Sequence, residues 1–146
     1  MDSPETTLRA RREAVVREHM ESENRQEFDV TLGTFSHPRY ELMANGRVYD
    51  GRDEVHDYYI KSRQAVPDQR NELRVMHHAD DAVIVEYDLL GTPVSDAPGP
   101  ARSFRCPMVA IFMFEGDRIV CERVYWDAQT IQRQVGGGKP PLSPGD

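Results

Sequence analysis

Apolar residues recur at helical spacing in the first half of the chain and at strand spacing in the second. Ser3-Pro4 offers a helix cap followed by a proline at the first helical position. Leu8, Val15, Val16 and His19 then form a thin apolar stripe through residue 23. Asn24 followed by Glu27 has the form of a capping box and predicts a second, short helix. Phe28, Leu32 and Phe35 form its buried face and Pro38 ends it. Tyr40 to Tyr49 reads as a hairpin turning at Asn45-Gly46, a dipeptide that takes positive φ at little cost. Gly51 precedes a third helix with Val55, Tyr58, Tyr59, Ser62 and Val66 on one face and Pro67 at its end.

From residue 70 the period is that of strands. Residues 70–79 place Leu73, Val75 and His77 on one face, and 82–91 is a nearly continuous apolar run behind an Asp80-Asp81 turn. Residues 104–114 and 118–127 form a long hairpin about Glu115-Gly116-Asp117. The proline- and glycine-rich stretch 92–102 is a loop and a candidate lid. Thr130 to Val135 is a last short helix, and 137–146 is expected to be a disordered tail. The order predicts one α+β domain over 1–136, with helices packed on one face of a curved antiparallel sheet. Strand 104–114 is apolar on both faces, with Val109, Ile111 and Met113 on one and Met108, Ala110, Phe112 and Phe114 on the other. A sheet covered on one side alternates apolar with polar, so the second apolar face calls for a partner, and a homodimer through it is expected.

Composition narrows the function. The 146 residues carry 25 acidic and 18 basic side chains, a net charge of −7, and 38% are hydrophobic. That length supports one core, and the acidic balance argues against nucleic acid as a partner. No apolar run approaches the ~18 residues of a membrane helix, and the N-terminus lacks the apolar segment of a secretory signal. No membrane association and a cytoplasmic location are therefore expected. Cys106 and Cys121 match no zinc spacing, and the hairpin register holds them too far apart for a disulfide. His77 and His78 are neighbours on a strand and point to opposite faces, so they cannot share a metal. There is no glycine-rich phosphate loop. No metal and no cofactor are expected.

Three separated stretches carry a family resemblance. They are Ile111 to Asp127 with Thr130 to Gly136, His19 to Phe35, and Tyr49-Asp50-Gly51 with Val55, Tyr58, Tyr59 and Pro67-Asp68. Together they resemble the SnoaL-like polyketide cyclases and ester cyclases of the nuclear-transport-factor-2-like superfamily. The resemblance implies a cone-shaped α+β barrel, its sheet wrapped around the N-terminal helices and enclosing a deep, mostly apolar pocket. It also implies a cofactor-independent acid–base enzyme, a cyclase or isomerase, acting on an apolar oxygenated small molecule such as a polyketide. One departure stands out. Many relatives carry Gly-Thr-His after the strand at 82–91, and this chain reads Gly91-Thr92-Pro93.

The candidate residues each have a catalytic and a structural reading. Asp127 shares a strand face with Cys121, Arg123 and Tyr125. It is either a pocket acid or base, as the resemblance implies, or the N-cap of the helix that follows. Arg123 either holds a developing oxyanion or forms a structural ion pair, for instance with Glu86. Glu86 interrupts an apolar run, with Asp88 at the same parity. It is a second pocket carboxylate or a residue of the solvated face. His19 either supplies the imidazole missing at Pro93 or is a core histidine. Tyr59 either donates to a substrate carbonyl or is core. Tyr125, Phe112, Met108 and Tyr58 are the candidate substrate-lining residues, and Trp126, of opposite parity to Asp127, is core or interface. Two further functions use the same parts. Asp127, Arg123 and Glu86 or Asp88 could activate water for epoxide opening, as in limonene-epoxide-hydrolase-like proteins. A non-catalytic, ligand-binding dimer is the other.

Overall fold

Ser3 caps the first helix through its side chain, which accepts from the Thr6 amide, and Pro4 follows at the first helical position. The computed structural model describes residues 3–136, so the expected tail at 137–146 lies outside the described residues. The helix α1 runs Pro4–Asn24 and buries Val16, His19, Met20 and Glu23. It is followed by α2 (Phe28–Gly33), the hairpin β1 (Arg39–Leu42) and β2 (Arg47–Asp50), and α3 (Arg52–Ala65). Then come β3 (Arg70–His78), β4 (Ala82–Gly91), β5 (Phe104–Glu115), β6 (Arg118–Trp126) and α4 (Ala128–Val135). No helix among the described residues is long and apolar enough to cross a membrane.

The six strands form one curved, unclosed sheet in the order β2-β1-β6-β5-β4-β3. Every neighbouring pair is antiparallel except β1 and β6, which run parallel, so the sheet is mixed where a purely antiparallel one was expected. The parallel pairing starts before β1. Phe35 bridges Ile119, and the Ser36 amide donates to the Ile119 carbonyl, so the chain leaving α2 is laid along β6 in its own direction. Strand β5 alternates as the sequence requires. Phe104, Cys106, Met108, Ala110, Phe112 and Phe114 point into the core, while Val109, Ile111 and Met113 are only half-buried on the outer face. Both cysteines are free.

Three local expectations are corrected. The capping box does not form: Asn24 stays in α1, and Glu27 precedes α2 without a side-chain cap. The Asn24 amide instead clasps the start of β3, donating to the Asn71 carbonyl at 3.0 Å and accepting from its amide at 2.7 Å. The first hairpin is wider than a two-residue turn, because Leu42 pairs with Arg47 and leaves residues 43–46 as the loop. A bulge between Leu73 and Val75 breaks the alternation of β3. Leu73 therefore stays with the core, whereas Val75 and His77 turn to the outer face.

Candidate functional site

α1 brings His19 to the centre of the cone, where it is fully buried. Its ring lies edge-on to Phe35 and Phe112. Nδ1 is 2.9 Å from the Thr34 hydroxyl, whose own proton is directed to the Thr31 carbonyl at 2.6 Å. Thr34 must therefore accept, and Nδ1 carries a hydrogen. Nε2 faces the Tyr40 hydroxyl at 3.0 Å and the Glu122 carboxylate at 2.9 Å, with Glu23 at 3.5 Å. Tyr40 can direct its proton to Glu23 at 3.4 Å, which leaves Nε2 free to donate. A hydrogen on both ring nitrogens is the imidazolium form. The electrostatics agree: burial pulls its pKa down, but Glu122 and Glu23 outweigh that and leave it raised above 6.5.

Four residues that the sequence reading did not single out complete the site. Glu122 is 3% exposed and reaches inward from β6, opposite Phe112 of β5 and beside Tyr40 of β1. Glu23 sits one helical turn beyond His19, and burial raises its pKa, with the neighbouring Glu122 charge pushing the same way. Arg63 of α3 is 6% exposed and lies over the Phe28 ring. Its Nη1 donates to Ser62 at 2.9 Å, and Nη2 is 3.7 Å from Glu23. Burial, reinforced by the two carboxylates, keeps the Tyr40 phenol far above its ordinary pKa, and so protonated. Glu23, Tyr40, Tyr58, Arg63, Met108 and Glu122 share a cavity of about 30 Å³, closed on its apolar side by Leu42, Leu89 and Val124. The resemblance implies a deep pocket. The space present holds little more than a water molecule.

The structure divides the sequence candidates between the two faces of the sheet. His19, Tyr58, Tyr59, Phe112 and Met108 belong to the interior. Asp127, Arg123, Glu86 and Tyr125 belong to the outer face. Asp127 is the N-cap of α4, with its side chain 61% exposed; it accepts from the Gln129 amide and the Thr130 hydroxyl. Arg123 donates to Glu41 at 2.7 Å rather than to Glu86, and Glu86 pairs with His77 at 2.7 Å. Asp88 is buried between Arg74 and Arg105. Glu86, Tyr125 and Asp127 do share an open outer groove of about 460 Å³ with Met43, Arg74 and Val109. Arg123 is not in its wall, so the set expected for epoxide opening is not assembled. Trp126 packs against the core, as its parity suggested. Asp127, Arg123 and Tyr125 do share a face, but alternation alone does not tell which face is inside. Glu122 has the inward parity of Val124 and Trp126, and His19 and Glu23 are spaced one turn apart on α1. Those were the available signals.

Among the described residues no group of three His, Cys, Asp or Glu is placed to hold a metal ion. Residues 16–122 match the sequence profile of the SnoaL-like domain, a span that holds His19, Glu23, Arg63 and Glu122 and stops before Arg123 and Asp127. No curated protein matches the chain. Solved structures match in fold. A proposed SnoaL-like polyketide cyclase from Jannaschia sp. CCS1 superposes with a TM-score of 0.77 at 14% identity, over 94% of this chain and 98% of that one. A proposed polyketide cyclase from Streptomyces antibioticus has a TM-score of 0.73 at 17% identity, over 84% and 96%. A protein of ketosteroid-isomerase-like fold from Catenulispora acidiphila, solved with trimethylamine, has a TM-score of 0.74 at 18% identity, over 84% and 92%.

Proposed function

The chain belongs to the SnoaL-like domain family, and we propose that it is a cofactor-free acid–base enzyme of the cyclase or isomerase type, working as a homodimer. Its substrate is a mostly apolar, oxygenated small molecule such as a polyketide. The observation that carries this reading is the Glu122 carboxylate at the cavity wall, backed at 2.9 Å by the buried His19 imidazolium. A carboxylate enclosed by Leu42, Val124 and Met108 is shielded from water and can take a proton from a carbon next to a carbonyl. The C–H electron pair then moves onto the carbonyl oxygen. Tyr40, held protonated, donates to that oxygen as its charge develops. The enolate carbon attacks a second carbonyl of the same chain, a C–C bond forms, and the new alkoxide takes the proton back. Enclosure brings the two carbonyls together. The cavity must widen to admit such a molecule. The clasp of Asn24 on Asn71, and the bond from Gln26 to the Pro67 carbonyl, join the elements that would move.

The proposal moves the acid–base role from Asp127 to Glu122, because Asp127 is solvent-exposed and engaged in capping α4. The test is hydrogen–deuterium exchange into 1,3-diketones in heavy water, followed by NMR. The wild type is expected to speed exchange over buffer, and Glu122→Gln to lower it by about 10²–10⁴-fold while keeping the fold. Unchanged exchange in Glu122→Gln would sink the assignment.

A further inference from the structure

The guanidinium of Arg63 is poorly paired for a buried group. Among the described residues only Nη1 finds a hydrogen-bond partner, Ser62, and Nε and Nη2 find none. Glu23 stands 3.7 Å from Nη2, an ion-pair distance without a bond. Nε and Nη2 form one edge of the planar fork, the edge that meets both oxygens of a carboxylate at once. Leaving two donors of a buried cation unpaired is costly. The side chain lies in the wall of the cavity that holds Glu122, and the Gln69 Oε1 in the same wall is also unpaired.

The surroundings suit an anion rather than a cation. The open Nε and Nη2 edge offers only donors, and Glu23, the carboxylate beside it, stands off at 3.7 Å.

We infer that Arg63 is the anchor for a carboxylate on the ligand, gripped by its Nε and Nη2 edge, so that a keto acid is preferred as substrate over the corresponding neutral ketone. This rests on the catalytic reading of the same cavity. The acid group sits against α3 and the enolisable carbon faces Glu122. A carboxylate also explains how an interior this full could be opened selectively, since a bidentate bond to a desolvated guanidinium rewards entry in a way an apolar ligand alone does not.

The test needs no turnover. The full chain, labelled with ¹⁵N-arginine, is titrated with acetate and, separately, with acetamide, its neutral counterpart of the same size. Acetate is expected to shift the Arg63 Nε–H resonance saturably and to bind at least about tenfold more tightly than acetamide. Arg63→Lys keeps the charge and loses the fork, and should lose the preference for acetate while its circular dichroism stays native. Equal binding of acetate and acetamide, an unmoved Arg63 signal, or undiminished preference in Arg63→Lys would each overturn the anchor. If Arg63→Lys does not fold, the wild-type titrations decide alone. Acetate binding at Arg63 with no loss of diketone exchange in Glu122→Gln would remove the catalytic role and leave the anchor. The opposite pair of results would remove the anchor only.

Discussion

At the scale of single residues the interior is an electrostatic compromise, and pH should expose it. His19 has a folded-state pKa raised above 6.5, so the stability it contributes is full below that value and is lost as pH rises through the raised one. Glu23 is also raised, above 4.5, by burial, so its contribution too is full at low pH and declines as pH rises through the folded value. Both groups act in one direction. The thermal midpoint should fall as pH rises from 6.5, and His19→Gln should flatten that slope. A midpoint that rises over the same range in the wild type would contradict the buried imidazolium. Asp127 makes the converse case. As an N-cap its replacement by alanine should cost about 0.5–2 kcal/mol in urea unfolding. Diketone exchange should not change, because the cap lies outside the cavity.

At the scale of elements most boundaries were readable. The run Ala82–Gly91 is a strand end to end because it is hydrogen-bonded between β3 and β5 and bounded by turn residues. The hairpin β5–β6 follows from alternation about Gly116, whose φ of 58° suits the turn. What was not readable arose from contacts distant in sequence. Asn24 and Glu27 have the spacing of a capping box, yet Asn24 gains two main-chain bonds from β3, some 47 residues away, that no local pattern encodes. The parallel β1–β6 pairing and the Leu73/Val75 bulge are tertiary in the same sense. The site was half legible for a related reason. Parity grouped Asp127, Arg123 and Tyr125 correctly, but an apolar run on both faces of β5 gave no sign of which face closes the core, so the inward carboxylate of Glu122 was passed over. Gly91 supplies a test at this scale. A Cβ there would collide with Val66 Cγ1 at the exit of α3 and press on the Gln69 backbone. Gly91→Ala should therefore destabilise by about 1–3 kcal/mol in thermal or urea unfolding. A neutral result would mean that this corner yields without strain.

At the scale of the whole molecule the outer face of the sheet remains to be accounted for. Val48, Val75 and Tyr125 lie on it, with Met43 at its edge, and all four are among the large apolar residues left exposed, at 41–47%. Val109, Ile111 and Met113 continue the surface half-buried between them. The arginines named on this face are paired, Arg123 with Glu41 and Arg74 and Arg105 with Asp88 and Glu72, and Glu86 is hydrogen-bonded to His77. Covering it therefore buries apolar area around side chains that already have partners. The net charge of −7 would otherwise oppose the meeting of two copies. A second copy using the same face about a two-fold axis makes a closed, self-complementary contact that leaves no further apolar surface to propagate. Light scattering should thus report twice the monomer mass of 16.7 kDa at micromolar concentration. Tyr125→Glu, which places an unpaired charge in the middle of the contact, should shift the protein to monomer with its fold intact. A wild type that is monomeric at those concentrations would show that this face needs no partner, and the two-sided apolar pattern of β5 would then have to be explained without one.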